Sequence, residues 1–585
     1  MSDPALATSL RCVSLAAAGA LGLATACGSD DRERADSTPA APSSSRSHKG
    51  RSSVDLAHTL LRPLDSEVDE ALAGLLQDLP PRDRSRSRPV HPDEVAAIAA
   101  LETAWKQARE QRPGDVGAWL DVAERFLWLA YVERADRAAL AVLSVRAEHP
   151  RALALLSATR YALGRFDEGA GLARRALALA KECAPVSSPP CLALVGNARA
   201  IAATGPPGLA VIELQRAMVL HPERPEAPWV LGLLLREAND FAAAAPLLER
   251  AAIQTPDPDG EAPSAASFSR TYAELLQGRP PHGRAADFSR IAVPVERRPV
   301  LPAVVGRLGN GQGRFVEGWL IVDSGAAITF VGPEAADVVR RSGIHLLHAT
   351  GEQMLAQPSS LEPAVLPVLQ IGTLSLTDVP VVLDADQPAP IGPGVIGTLG
   401  VSLLRDFHVV LDLQRGRFEL LPPEGPLRLS PVAPSPGEAL REGELSFELL
   451  HNLLFVRGHF EGSPERRFVF DTGAGSLFVD PAVLVADLGL NLADPLLPRK
   501  TVVGLGGREM TNVVVPVEVP FYLGDQSICG LSAWADPTAA VRARLIQMDF
   551  AGTFGLVVVA RWGLDFQSRR IVFDIVAPQA VPSGR

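Results

Sequence analysis

Trp-Leu-Ile-Val-Asp-Ser-Gly-Ala-Ala-Ile occupies positions 319–328, and Arg-Phe-Val-Phe-Asp-Thr-Gly-Ala-Gly-Ser occupies positions 467–476. Each stretch is an apolar run that ends in Asp, a hydroxyl residue, Gly and Ala. The runs Leu320 to Val322 and Phe468 to Phe470 predict buried strands, each delivering an aspartate into a turn. A lone Asp-Thr-Gly is a common turn, because Asp and Gly are turn residues. Two copies in one chain allow more: Asp323 and Asp471 can stand side by side. Carboxyls held about 3 Å apart do not both ionise, so they share one proton. The ionised partner can take a proton from a water while the protonated one polarises a carbonyl, and the water attacks with no covalent intermediate. Gly325 and Gly473 let the backbone turn sharply and bring N–H groups to the carboxylates. The hydroxyls of Ser324 and Thr472 can hydrogen-bond across to the other copy.

The surroundings repeat as well. After the first turn come Gly394-Val395-Ile396-Gly397, a short helix from Val401 to Phe407, and an apolar strand from His408 to Asp412. After the second come Gly552-Thr553-Phe554-Gly555, a short helix from Val557 to Arg561, and an apolar strand from Arg570 to Asp574. Repetition of a whole order of elements predicts two copies of one domain. Asp412 and Asp574 are expected to close turns. The proline-dense segment 422–436 reads as the linker between the copies.

Both copies resemble retropepsin-like aspartic peptidase domains, over about 290–425 and about 440–577. The resemblance implies two mainly β lobes forming a pseudo-dimer. It implies Asp323, Ser324, Gly325 and Asp471, Thr472, Gly473 as the catalytic turns of an aspartic-type endopeptidase. Ile396-Gly397 and Phe554-Gly555 would be the segments that cross beside them, with Thr553 where an apolar residue is usual. A hairpin flap over the substrate would carry Gly504, Gly506 and Gly507 in the second lobe. The stretch near Thr350-Gly351-Glu352 is a weaker counterpart in the first. The lobes can meet within one chain, favoured by the short linker, or each can pair with its copy in a second chain. Ala326 and Ala474, in place of a hydroxyl residue, remove one hydrogen bond and predict a higher working pH. No cofactor or metal is implied, and the substrate would be a protein or peptide.

Near the start of the chain, Arg11 precedes an apolar stretch from Val13 to Leu23, followed by Ala24-Thr25-Ala26-Cys27. Residues 1–27 read as a secretory signal that resembles a bacterial lipobox, with Cys27 lipidated. The alternative is an ordinary signal peptide with an incidental cysteine. Residues 28–90 read as a polar tether with one helix, from Leu56 to Leu79. Together these predict export across the inner membrane and a lipid-anchored place in the cell envelope.

From 91 to 280 the pattern becomes a helical repeat. Ala210 and Ala244, Ala217 and Ala251, and Pro222 and Pro256 recur at 34-residue spacing. An earlier unit runs from Pro150 with Gly164, Phe166 and Ala176, and a less regular one covers Trp119 to His149. The region resembles tetratricopeptide repeats, an all-α solenoid. Such a stack either holds a protein partner in its groove or serves as a spacer or lid.

Composition bounds the remainder. The 585 residues carry a net charge of −11 with no basic run, so nucleic acid is not an expected partner. Five cysteines are too few for a disulfide framework. Cys183 and Cys191 are either bonded or two buried thiols, and Cys529 is expected in the core. Trp534 and Trp562 are expected to pack in the core or against the flap. Three functions are compatible with the sequence: an envelope-anchored endopeptidase, a non-catalytic protein or peptide binder whose repeats carry recognition, and a narrowly specific or self-processing peptidase.

Overall fold

The computed structural model describes residues 92–577, apart from 129–130, 184–189, 255–260, 286–287, 299–300, 342–360, 385–392, 430–438, 504–508, 538, 540–547 and 556–558. The segments expected as a leader with Cys27, as a tether with one helix, and as flaps (Gly504, Gly506 and Gly507, and the stretch around Gly351) lie outside the described residues.

Ten helices open the described chain: α1 (Pro92–Gln111), α2 (Val116–Trp128), α3 (Val132–Val145), α4 (Pro150–Ala162), α5 (Phe166–Cys183), α6 (Cys191–Thr204), α7 (Pro207–Leu220), α8 (Glu226–Glu237), α9 (Phe241–Gln254) and α10 (Glu261–Leu276). Residues 99–276 form a helical-repeat region in which each helix packs on the next. The bounds of α9 follow those of α7 by 34 positions at both ends. The recurring alanines Ala210, Ala217, Ala244 and Ala251 are fully buried, which lets the helices of a pair approach closely. Gly232 does the same in α8, where a Cβ would stand 2.6 Å from Leu248. Cys191 is a free, buried thiol. Burial pushes it up to about 12.

The first β lobe contains β1 (Ile291–Arg297), β2 (Pro302–Gly309), β3 (Phe315–Val322), β4 (Phe330–Val331), α11 (Pro333–Arg341), β5 (Leu361–Ile371), β6 (Leu374–Asp384), β7 (Val395–Leu399), α12 (Val401–Leu404), β8 (His408–Asp412) and β9 (Arg417–Leu421). Strands β2-β3-β7-β4-β6-β5 run in that order, and β5 pairs back to β2, closing a six-strand barrel. The second lobe contains β10 (Ala439–Ser446), β11 (Glu448–Leu450), β12 (Leu453–Phe460), β13 (Arg466–Phe470), β14 (Leu477–Val479), α13 (Pro481–Leu488), β15 (Arg499–Val503), β16 (Glu509–Pro516), β17 (Phe521–Leu523), β18 (Gln526–Ile528), β19 (Ser532–Ala535), β20 (Gly552–Phe554), β21 (Val559–Asp565) and β22 (Arg570–Ala577). Its pairings copy the first lobe: β3 lies parallel to β7 as β13 does to β20, and β4 lies antiparallel to β7 as β14 does to β20. The strands β15 and β16 pair antiparallel from Arg499↔Val513 to Val503↔Glu509.

The lobes join through one sheet in the order β10-β22-β21-β8-β9-β1. At its centre β8 and β21 pair antiparallel, Asp412 opposite Arg561 and Val409 opposite Leu564. This corrects two sequence expectations. Arg561 lies in a strand rather than a short helix, and the partner of β8 in the repeat is β21 rather than β22. The reason is visible in the chain: Leu411-Asp412-Leu413-Gln414 repeats as Leu564-Asp565-Phe566-Gln567. Asp412 and Asp565 each end their strand in a turn, accepting from Arg415 N and Ser568 N at 3.0 Å. Asp574 instead sits inside β22, opposite Arg561. Across the seam, Arg561 stands 3.8 Å from Asp412 and His408 stands 3.4 Å from Asp565, so the two turn aspartates face matching basic residues of the other lobe.

One apolar core runs through both lobes, including Leu320, Val322, Leu399, Phe468, Phe470, Phe554 and the fully buried Trp562. Trp534 packs on Phe478 with ring centroids 5.8 Å apart. Cys529, expected in the core, is exposed: it follows the end of β18, beside Gly530 at φ 71°, where the chain leaves the sheet edge.

Candidate active site

Asp323 and Asp471 meet at the junction of the two lobes, within a single chain. Each follows a buried strand, and each backbone N–H is held by the neighbouring parallel strand. Asp323 N donates to Leu399 O at 3.1 Å, and Asp471 N donates to Phe554 O at 3.0 Å. Both aspartates are buried, 3% and 1% exposed, so neither carboxyl is solvated as a surface group would be.

The turns fold back on their own carboxylates. Gly325 N and Ala326 N donate to Asp323 Oδ1 at 2.8 and 3.1 Å, and Gly473 N donates to Asp471 Oδ1 at 2.7 Å. The glycines are required for a second reason. A Cβ on Gly325 would run into the Asp471 carboxyl, and one on Gly473 would stand 2.5 Å from Asp323 Cγ. Each glycine is therefore the surface on which the opposite carboxyl rests.

The hydroxyl residues bind the lobes together. Ser324 N donates to Thr472 Oγ1 at 2.9 Å and Thr472 N donates to Ser324 Oγ at 3.0 Å. Each hydroxyl also donates to the main chain of the opposite strand, Ser324 Oγ to Phe470 O at 2.9 Å and Thr472 Oγ1 to Val322 O at 2.7 Å. All four bonds are buried, so each polar atom depends on the other lobe for its partner.

Burial pushes the Asp323 carboxyl above the usual carboxylate range. Its hydrogen bond to Asp471 and those from Gly325, Ala326 and Gly473 pull it down, but burial wins. A hydrogen-bonded pair of buried carboxyls with one raised pKa is the arrangement that keeps a single proton between them.

The crossing segments need correction. The residue before the crossing glycine is Phe554 in the second lobe, and its counterpart is Leu399, since these two accept from the aspartate amides. Gly555 therefore corresponds to Gly400, while Gly397 corresponds to Gly552. A Cβ on Gly400 would stand 2.8 Å from Ala326 O, and one on Gly555 would stand 2.6 Å from Ser476 O. Gly397 and Gly552 press instead on the carbonyls of Phe330 and Phe478. Ile396 is one position further back, buried in the barrel core. Thr398 and Thr553 occupy equal places, so Thr553 is shared by both lobes rather than a departure of one. The signal was in the sequence as Gly397-Thr398-Leu399-Gly400 against Gly552-Thr553-Phe554-Gly555.

Three residues beside the site escaped sequence reasoning. Asn239, from the turn between α8 and α9, donates to Ser402 O at 2.9 Å. Thr329 Oγ1 accepts from Gly400 N at 3.2 Å. Asn452, from lobe two, donates to Ala327 O at 3.3 Å. None stands in a recognisable pattern, because each acts through a main-chain group distant in sequence.

The helical repeats pack on both lobes. Arg467 of β13, with a side chain 2% exposed, reaches Asp167 of α5 at 2.5 Å, Glu448 at 2.7 Å and Asp549 at 2.9 Å. Phe166 N donates to Asp549, Arg569 donates to the carbonyls of Ala202 and Ala203, and Tyr272 OH donates to Val381 O of lobe one.

No family model matches the chain, and no curated protein matches it. Among solved structures the chain is similar to one described as "YrrB: a TPR protein with an unusual peptide-binding site", at 20% identity, covering 29% of this chain and 84% of that one, with a TM-score of 0.19. At that score the likeness adds nothing to the geometry described above.

Proposed function

We propose that this chain is an aspartic endopeptidase whose water nucleophile is activated between Asp323 and Asp471, one from each of two retropepsin-like lobes. The observation that carries the reading is the reciprocal seating of the carboxyls, each resting on the other lobe's glycine and each turn gripped by the other's hydroxyl. A structural aspartate needs only one turn and one set of amides. Two buried carboxyls in hydrogen-bond contact are costly unless they share a proton, and that proton is what peptide hydrolysis uses.

In this mechanism the ionised carboxyl removes a proton from water as the oxygen attacks the peptide carbonyl carbon. The protonated carboxyl gives its proton to the carbonyl oxygen. The tetrahedral diol collapses as the C–N bond breaks, a proton passes to the leaving amine, and the pair returns to one proton. The β15–β16 hairpin is the element proposed to cover the substrate. The helical repeats, read as tetratricopeptide-like, serve as a scaffold on the lobes. A lipid on Cys27 would anchor the enzyme in the cell envelope under this reading.

The test is cleavage of a mixed peptide library by the purified chain from about residue 54 onward, over a broad pH range. Cleavage between internal residues supports the reading. No cleavage at any pH overturns it in favour of a peptide-binding role.

A further inference from the structure

We infer that Asn452 is a positioning residue that makes the helical repeats part of the machinery holding Asp323. The inference rests on the peptidase reading, but its geometry stands independently. Strands β11 and β12 pair up to Leu450↔Leu453, leaving His451 and Asn452 as a two-residue turn. Both have positive φ, 53° and 57°. Such a turn suits glycine and asparagine, and a histidine there is held by its contacts.

Those contacts come from the repeats and from the first lobe. His451 Nδ1 lies 2.8 Å from Glu237 Oε1, at the last residue of α8. Asn452 is 4% exposed, and its side chain meets both other bodies. Its Oδ1 accepts from Arg405 Nη1 of lobe one at 2.9 Å. Its Nδ2 donates to Glu237 O of the repeats at 3.3 Å and to Ala327 O of lobe one at 3.3 Å. Arg405 Nη1 also donates to Glu237 O at 2.9 Å, which closes the cluster.

Ala327 is the key contact. The preceding residue, Ala326, supplies one of the amides on Asp323 Oδ1 at 3.1 Å. Ala327 O also accepts from Ser402 N at 3.1 Å, and Ser402 O is held by Asn239 of the repeats at 2.9 Å. Two asparagines, one reaching from the repeats and one clamped by them, therefore brace the segment that solvates Asp323. The repeats in this reading are not a detachable recruiter. Their docking completes the geometry of one catalytic turn.

The test uses the full chain with Asn452→Gly and Asn239→Gly, each at a positive-φ position. Glycine keeps the positive-φ turn and removes only the side chain, so the hairpin retains its conformation. Each variant is measured for kcat and KM on a cleaved peptide, and for amide hydrogen exchange of the segment 323–331. The expected result for Asn452→Gly is a fall in kcat of roughly 10- to 100-fold with KM within about twofold, since misplacement of a catalytic group acts on the reacting geometry rather than on binding. Exchange at 323–331 speeds up in both variants, while exchange in the other barrel strands, β2, β3, β5, β6 and β7, stays as in the parent. Unchanged exchange at 323–331 together with an unchanged kcat overturns the inference. If the parent chain cuts no peptide, the peptidase reading falls, and the exchange measurement alone decides whether Asn452 braces the turn.

Discussion

Ser324 and Thr472 exchange hydrogen bonds reciprocally: Ser324 N donates to Thr472 Oγ1 at 2.9 Å and Thr472 N donates to Ser324 Oγ at 3.0 Å. Neither lobe can satisfy these buried groups alone. Thr472→Val keeps the shape and removes the hydroxyl, leaving Ser324 N and Val322 O unsatisfied. It is expected to destabilise the chain by about 1–3 kcal/mol. Urea unfolding checks this, read as a lower midpoint at unchanged slope.

Gly473 is fixed by the carboxyl that rests on it. A Cβ there meets Asp323 Cγ at 2.5 Å, and the neighbour is a buried carboxyl of the proposed catalytic pair rather than a flexible chain end. Gly473→Ala is expected to abolish hydrolysis while the circular dichroism spectrum keeps its native shape. Retained turnover in a folded variant would show that the carboxyls are not seated in this way.

The raised pKa of Asp323 has a signed consequence for stability. Burial is its largest cause, set against the hydrogen bonds from Asp471 and the turn amides. A carboxyl raised in the folded state binds its proton more tightly there than in the unfolded chain. Its contribution is complete at acid pH and is lost as pH rises through the raised value. Asp323→Asn removes that loss. The variant should melt a few degrees above the parent at about pH 7 and level with it near about pH 3, below the ordinary carboxylate range. Thermal melts at the two pH values check this, and a gain that is equal at both would contradict it.

Arg467 ties the repeats to lobe two through Asp167, Glu448 and Asp549. Its side chain is 2% exposed while Asp167 and Asp549 are more than half exposed. Arg467→Met should cost about 2–4 kcal/mol, kept near the lower figure by the solvated partners. Limited proteolysis should then separate the helical region from the β lobes faster than in the parent.

The two aspartate turns, their hydroxyls and their glycines were legible because the same residue types recur as adjacent residues in one order, at 323–326 and 471–474. The helical repeat was legible for a similar reason, since Ala210, Ala217, Ala244 and Ala251 recur where helices cross. The counterpart of β8 in the second lobe differs from the sequence expectation because both Arg570–Asp574 and Arg561–Asp565 lie in strands that end at or contain an aspartate. The repeat of Leu411-Asp412-Leu413-Gln414 as Leu564-Asp565-Phe566-Gln567 distinguishes them, and the seam places Arg561 opposite Asp412 accordingly. The crossing glycine was placed three positions early in lobe one, because an apolar residue followed by Gly occurs at both Ile396-Gly397 and Leu399-Gly400. Asn239 and Asn452 were invisible for a different reason. Their partners are carbonyls of Ser402 and Ala327, and a main-chain acceptor leaves no mark in the sequence.

The most direct test of one shared site uses Asp323→Asn and Asp471→Asn, each purified alone and then mixed in equal amounts, against a peptide the parent cuts. Two aspartates of one chain forming one site predict that each variant loses at least about 1,000-fold in kcat/KM and that the mixture recovers nothing, a loss of about 4 kcal/mol or more in transition-state stabilisation. Turnover retained by either single variant, or restored on mixing, would contradict the account.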